Sequence, residues 1–267
     1  PRPGAISTGR RHVDQGAVGA MRVHVMGSSG TFPVRGRPAS GYLIEQGSTR
    51  IWCDAGPGTF ISLPVDSDLV DAVVISHQHP DHCADLLIAF HAWNYRPDPR
   101  KGIPVYAPQA VWDRVTGFLE KGPDSDLYET FDFHPVWTGD QIEVGDVSVS
   151  FTEMDHPVPT VGSRWEASNR TLFFTADTGP AGAWRDQAGG VDVLLSEASY
   201  QGAVENKEYP QHMTAGEAGQ IARDVGAKKL VLTHIPPYLD PSRSVHEAEL
   251  TFDRPVALAV PGTSFDV

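Results

Sequence analysis

From residue 21 onward, short apolar runs alternate with stretches of helical period. Runs rich in β-branched residues and bounded by Gly, Pro or Asp predict strands over 21–26, 41–45, 49–54, 72–76, 103–106, 147–152, 171–175, 191–195, 230–233 and 256–260. Apolar positions three and four apart predict helices over 84–95, 109–121, 181–188, 214–225 and 244–252. Residues 45–48 read as a hairpin turn, and 97–99 and 122–126 as surface loops. The early part is strand-rich and the later part alternates strand and helix. That order suggests an α/β protein of two sheets packed face to face, with helices outside. There is no repeat, low-complexity block or long linker.

Composition narrows this only a little. The 267 residues are 40% hydrophobic, 21% charged and 9% aromatic, which excludes a disordered or fibrous chain. Residues 1–20 hold three arginines and few large apolar side chains, so they read as a disordered tail or upstream extension before Met21. Residues 21–267 then form a single domain, near the upper limit for one core. The net charge of −13 disfavours DNA and anionic membranes as partners. Two cysteines, Cys53 and Cys83, exclude a disulfide scaffold and suit a reducing cytoplasm. No apolar run approaches the roughly 20 residues of a membrane span.

The chemistry concentrates in Ser76-His77-Gln78-His79-Pro80-Asp81-His82, directly after the apolar run 72–75. In an extended segment His77 and His79 project to one side, and a turn at Pro80 lets Asp81 and His82 face the same space. Imidazole and carboxylate are zinc donors. Three more donors, His156, Asp177 and His234, each stand just beyond an apolar β run. A polar turn with chance histidines is the plainer reading of the motif, and isolated buried or loop residues that of the later three. The agreement of spacing with strand context favours a metal site.

Taken together, His-x-His-x-Asp-His followed by His156, Asp177 and His234 resembles the metallo-β-lactamase superfamily over nearly all of 21–267. The resemblance implies a four-layer αβ/βα sandwich of two mixed sheets with the site at one edge. It implies one zinc on His77, His79 and His156, a second on Asp81, His82 and His234, and Asp177 between them. Manganese or iron suit the same donors. It further implies that Asp54 orients a ligand imidazole, although a turn-forming role is equally natural for an aspartate there. The segments 196–199, 212–217 and 232–236 are similar to the ribonuclease Z and cyclic-nucleotide phosphodiesterase branch, where a Glu–His pair, here Glu197 and His212, stands beside the metals. The plainer reading of those two is a helix-start histidine and a surface carboxylate, and Thr214 with Glu217 makes a capping box in its own right.

The expected function is a dinuclear zinc phosphodiesterase in which Asp81, Glu197 and His212 serve catalysis, with His212 protonating the leaving sugar oxygen. Ribonuclease Z enzymes carry a long tRNA-gripping arm between the ligands matching His156 and Asp177, but only residues 157–176 separate them here. A small phosphodiester such as a 3′,5′-cyclic nucleotide therefore fits better than tRNA. The alternatives are a ribonuclease Z-like endonuclease, another hydrolase of this fold such as a thioesterase or lactonase, and a metal-binding sensor module. Dimers are common in the branch, which implies a homodimer. The glycines at 27 and 30 read as a tight turn that also allows close approach of substrate. Tyr200 and Tyr238, with Trp165, are expected in loops near the ligands, the two tyrosines as candidates to line a base pocket. Cys83 reads as a small buried residue.

Overall fold

In the computed structural model, which describes residues 19–267, successive side chains of the first sheet alternate between two cores, Tyr42, Ile44 and Val74 to the inner one and Leu43, Trp52 and Val73 to the outer. The tail expected over 1–20 lies, apart from its last two residues, outside the described residues. β1 (Arg22–Gly27) buries Val23 and Val25. β2 (Gly41–Gln46) and β3 (Thr49–Cys53) form the hairpin, with Gln46 opposite Thr49. Gly47 takes a φ of +59°, which its two-residue turn requires. β4 (Ala72–Val74), β5 (Ile103–Ala107) and β6 (Phe131–Pro135) continue in parallel, and β14 (Ser264–Asp266) closes the edge beside β1. The order is β14-β1-β2-β3-β4-β5-β6.

The second sheet contains β7 (Gln141–Val144), β8 (Val147–Glu153), β9 (Val161–Ala167), β10 (Arg170–Phe174), β11 (Val193–Glu197), β12 (Lys229–Thr233) and β13 (Ala257–Leu258). Its order, β13-β12-β11-β10-β9-β8-β7, is antiparallel from β7 to β10 and parallel from β10 to β13. The inner faces meet through Tyr42, Ile44 and Val74 on one side and Val149, Trp165 and Phe174 on the other. Outside the first sheet, α2 (Asp85–Asn94) and α3 (Gln109–Leu119) bring Phe90, Trp93 and Trp112 onto Trp52. Outside the second, α6 (Ala215–Asp224) and α7 (Pro241–Phe252) pack Ala218, Ile221 and Phe252 over Leu194 and Leu232. Each large apolar side chain contributes about 1.5–3 kcal/mol by burial. The architecture is helix, sheet, sheet, helix, with two mixed sheets of seven strands, as expected. Among the described residues no helix is long and apolar enough to cross a membrane.

Local boundaries differ from expectation for identifiable reasons. The helix expected over 84–95 begins earlier, with α1 (Pro80–Cys83) running into α2, because Pro80 suits a first helical position. The helix expected over 181–188 shrinks to α5 (Trp184–Gln187), since Gly182 at φ +127° keeps the preceding chain non-helical. α7 starts three residues before 244 because Asp240 caps it, accepting from the Ser242 amide at 3.0 Å. The strand expected over 191–195 is displaced to β11, where polar Glu197 still pairs with Thr233. The strand over 256–260 keeps only the two residues of β13. β6, β7, β9, β14 and α4 (Asp126–Thr130) were not anticipated. Trp165, expected in a loop, is fully buried within β9, while neighbouring Arg164 and Glu166 pair with each other at 2.6 Å.

Candidate metal centre and active site

The parallel strands deliver their carboxyl ends to one edge, the place where open α/β sheets present ligand sites. Asp54 follows β3, His77 follows β4, Asp177 follows β10, Glu197 ends β11 and His234 follows β12. His156 follows β8. Three of these turns use left-handed backbone at residues other than glycine: Asp54 (φ +58°), Ala176 (φ +50°) and His234 (φ +51°). Such conformations persist only where surrounding contacts impose them, and they concentrate at functional sites.

All seven expected metal-donor residues converge. His77, His79, His156 and Asp177 form one group, and Asp81, His82 and His234 form a second, with donor atoms in each within 4.8 Å of one another. Asp177, His212 and His234 make an overlapping third. In the first group, His79 Nδ1 lies 3.0 Å from His77 Nε2 and 3.2 Å from His156 Nε2. In the second, His234 Nε2 lies 3.2 Å from both His82 Nε2 and Asp81 Oδ2. Asp177 stands between the groups. Its Oδ2 is 3.8 Å from His77 Nε2, and its Oδ1 is 3.3 and 3.4 Å from the Nε2 atoms of His82 and His234.

The donor set fits divalent cations. Tetrahedral zinc with bonds of about 2.0–2.1 Å separates its donor nitrogens by about 3.3 Å, close to the spacings found. Burial, aided by the neighbouring His82, pushes the His77 pKa well below its ordinary value. Burial likewise takes His156 down to about 4, the charge of Asp177 opposing it. His79 Nδ1 can share a proton with only one of the two Nε2 atoms that face it, so one close nitrogen pair is left without a hydrogen bond unless a cation lies among them. Asp177 Oδ1 is buried without a hydrogen-bond partner, although it faces two imidazoles. A cation would satisfy that oxygen and the facing nitrogens together.

Hydrogen bonds behind the donors fix ring orientation. Asp54, fully buried, accepts from His82 Nδ1 at 2.6 Å, from the Ser76 amide at 2.8 Å and from the Ser76 hydroxyl at 3.0 Å. His82 Nε2 is thereby left to face the site. Burial disfavours charge on His82, but Asp177, Asp54 and Asp81 outweigh it and hold its pKa well above the ordinary range. Ser76 Oγ also lies 3.0 Å from His77 Nδ1. Ser199 Oγ donates to Glu197 Oε2 at 2.6 Å and lies 3.0 Å from His234 Nδ1. Neither serine stands out in the sequence, because serine carries no distinctive pattern; its position one or two residues from a donor or acid was the available signal.

Glu197 and His212 meet beside these groups. Glu197 is fully buried and its Oε1 accepts from His212 Nδ1 at 2.9 Å and from the Thr178 amide at 2.7 Å. Burial opposes protonation of His212, yet the charge and hydrogen bond of Glu197 prevail and raise its pKa to about 9. The ring stacks at 6.0 Å on His234 and meets His156 edge-on at 5.1 Å. These residues open onto a cavity of about 620 Å³ whose lining also includes Tyr200, Glu208, Tyr209 and Tyr238. No lysine or arginine lines it among the described residues.

Other expectations resolve differently. A Cβ on Gly30 would stand 2.6 Å from the His234 carbonyl oxygen, so this glycine lets the loop press against His234. Cys83 Sγ approaches the Gln78 carbonyl at 3.5 Å, and burial pushes its thiol up to about 12, which makes it a poor ligand. Tyr200 and Tyr238 line the cavity and Trp165 does not.

Residues 49–235 match the model of the beta-lactamase superfamily domain. The chain belongs to this superfamily. Among relatives, it is 32% identical to the Mycobacterium tuberculosis protein Rv1339 over 265 residues, covering 96% of each chain. It is 29% identical over 266 residues to the ribonuclease Z of Methanopyrus kandleri, covering 85% of this chain and 91% of that one. The crystal structure of the metallo-β-lactamase fold protein YhfI from Bacillus subtilis superposes with a TM-score of 0.81 at 26% identity, covering 92% of this chain and 99% of that one. This superfamily member is a metal-dependent hydrolase with His/Asp clusters able to hold metal ions.

Proposed function

We propose that the chain is a dinuclear zinc phosphodiesterase that opens 3′,5′-cyclic nucleotides such as cAMP to the nucleoside monophosphate. The observation that carries this reading is His212, held by buried Glu197 on the cavity wall beside both donor groups. His77, His79 and His156 would hold one ion, Asp81, His82 and His234 the other, and Asp177 both. When bound, the ions supply Lewis acidity, acidifying water and offsetting phosphoryl charge. His212 donates a proton to the ester oxygen as its bond to phosphorus breaks and water adds to phosphorus. With Nδ1 engaged by Glu197, the donating atom is Nε2. Glu197 stabilises the protonated ring and holds its plane. Asp54 keeps the second imidazole aimed.

The remaining wall favours a small substrate with one charge. The volume falls in the range of about 300–1,000 Å³ typical of small-molecule sites. Three tyrosines offer stacking surface to a base, each contact worth about 1–3 kcal/mol at full overlap. Absence of a lining cation, together with Glu208 and the net charge of −13, works against a polyanion such as RNA. The test is turnover of cyclic mononucleotides, precursor tRNA and bis(p-nitrophenyl) phosphate by zinc-loaded protein. Cleavage of precursor tRNA without turnover of any cyclic nucleotide would overturn the reading. His212→Ala is expected to lose about 10²–10⁴-fold with a poor leaving group and little with p-nitrophenolate, which needs no proton. Equal losses would remove the acid role.

A further inference from the structure

The segment that carries His212 and the cavity residues Glu208 and Tyr209 has no strand or α-helix of its own between β11 and α6. One buried cation ties it down. The Lys207 side chain is only 5% exposed, and its ammonium makes three hydrogen bonds. It donates to the His212 carbonyl oxygen at 2.9 Å, and to Glu217 Oε1 and Oε2 at 3.0 and 2.9 Å. Glu217 is itself fixed. Its Oε2 accepts from the Thr214 amide at 2.8 Å while its own amide donates to Thr214 Oγ1 at 3.1 Å, the capping box of α6. The His212 backbone is thus bolted to the first turn of a helix packed on β11 and β12. A second tie, the Tyr209 amide donating to the Tyr200 hydroxyl oxygen at 3.2 Å, closes the same segment.

The capping box needs only a carboxylate or amide at 217. Lysine adds nothing to it that helix formation requires, and burying an ammonium is unfavourable unless its partners are well placed. What the lysine adds is the bond to the His212 carbonyl. We propose that Lys207 is a positioning residue for proton donation: it holds the His212 backbone so that the imidazole stays between Glu197 and the leaving oxygen. The proposal rests on the reading of His212 as the acid.

Lys207→Met alone would leave the half-buried Glu217 carboxylate without its cation, so the decisive variant is Lys207→Met with Glu217→Gln, which keeps the capping box and removes both charges. Leaving groups separate positioning from general damage. The ribose alkoxide of cAMP and the phenolate of diphenyl phosphate need a proton, and the p-nitrophenolate of bis(p-nitrophenyl) phosphate does not. We expect the double variant to retain its zinc and its rate on the nitrophenyl ester, and to lose about 10- to 10²-fold in kcat on the poor leaving groups, the scale of a small misplacement. In the His212→Ala background the two tether substitutions should cost little more, because they act only through that ring. Equal losses on all substrates, no loss at all, or full additivity with His212→Ala would overturn the proposal. A split shown by His212→Ala but not by the double variant sinks the tether alone. If His212→Ala shows no split either, the acid reading falls and takes the tether with it.

Discussion

The two donor groups are built on different electrostatic plans. The group of His77, His79 and His156 is made of imidazoles that burial keeps short of protons, and two of its three rings are only half-buried. Among the described residues only His77 is braced from behind, by Ser76 at 3.0 Å, and His156 Nδ1 is buried without a partner. The group of Asp81, His82 and His234 is buried throughout. Both of its imidazoles are braced, His82 by Asp54 at 2.6 Å and His234 by Ser199 at 3.0 Å. Without a metal its carboxylates keep a proton on His82, so it compensates its own charge. The first group is therefore open, neutral and ready to bind, while the second is rigid and must surrender a proton to bind. Preorganisation and readiness have been divided between two sites that share Asp177.

Asp54→Asn should break this contrast most strongly. Asparagine tolerates the left-handed backbone at φ +58° and fills the same space, so the loss falls on charge. The braced site should lose about 10- to 100-fold in zinc affinity, the usual cost of removing a group that orients a ligand. The open site, which Asp54 reaches only through Ser76, should lose clearly less. Competition with a chelator, resolved into two binding steps, measures both. Equal weakening of the two steps would show that the groups do not differ as described.

Proton release sharpens the comparison next. A histidine whose pKa is raised well above 6.5 is protonated at pH 7, and a metal ligand must give that proton up. Zinc entering the braced site should release about one proton at pH 7, and its affinity should rise about tenfold per pH unit below the raised pKa. His77, His79 and His156 are all shifted down, His156 to about 4, so the open site should release fewer protons than the braced one at pH 7 and its affinity should depend more weakly on pH. Calorimetry in two buffers of different ionisation enthalpy counts the protons at each step. One proton at the first step and none at the second, with the open site filling first, would invert the assignment.

How much of this was legible depends on where each signal lies in the chain. The motif at 77–82 is contiguous and stands after an apolar strand, so its ligand chemistry and context can be read together. His156, Asp177 and His234 are also legible, because each ends a β-branched run. The sandwich follows from the alternation of such runs with helical periods. β9 escaped because Gly162, Ser163 and Arg164 dilute its alternation, although Val161, Ser163, Trp165 and Ala167 all point inward. β14 is too short, at three residues, for periodicity to register. Ser76, Ser199 and Lys207 were missed for another reason. Their roles are made by tertiary contact alone, and the residue types are ordinary at any surface.

Ser199→Ala should have the smallest effect and the most specific one. The hydroxyl has one proton, donated to Glu197 Oε2 at 2.6 Å, so at 3.0 Å it serves His234 Nδ1 as an acceptor. Removing it leaves that nitrogen without its brace but subtracts no charge from the braced site. A neutral hydrogen bond is roughly half as strong as a charge-assisted one. Zinc affinity at the braced site should therefore fall only several-fold, below the range of about 10- to 100-fold set for Asp54→Asn. Glu197 retains the amides of Thr178 and Met213 and the His212 ring, so the acid pair should survive and the leaving-group dependence should match the wild type. A loss as large as that of Asp54→Asn would mean that the chain from His234 through Ser199 and Glu197 to His212 works as one charged network, and that the braced site and the acid cannot be treated as separate parts.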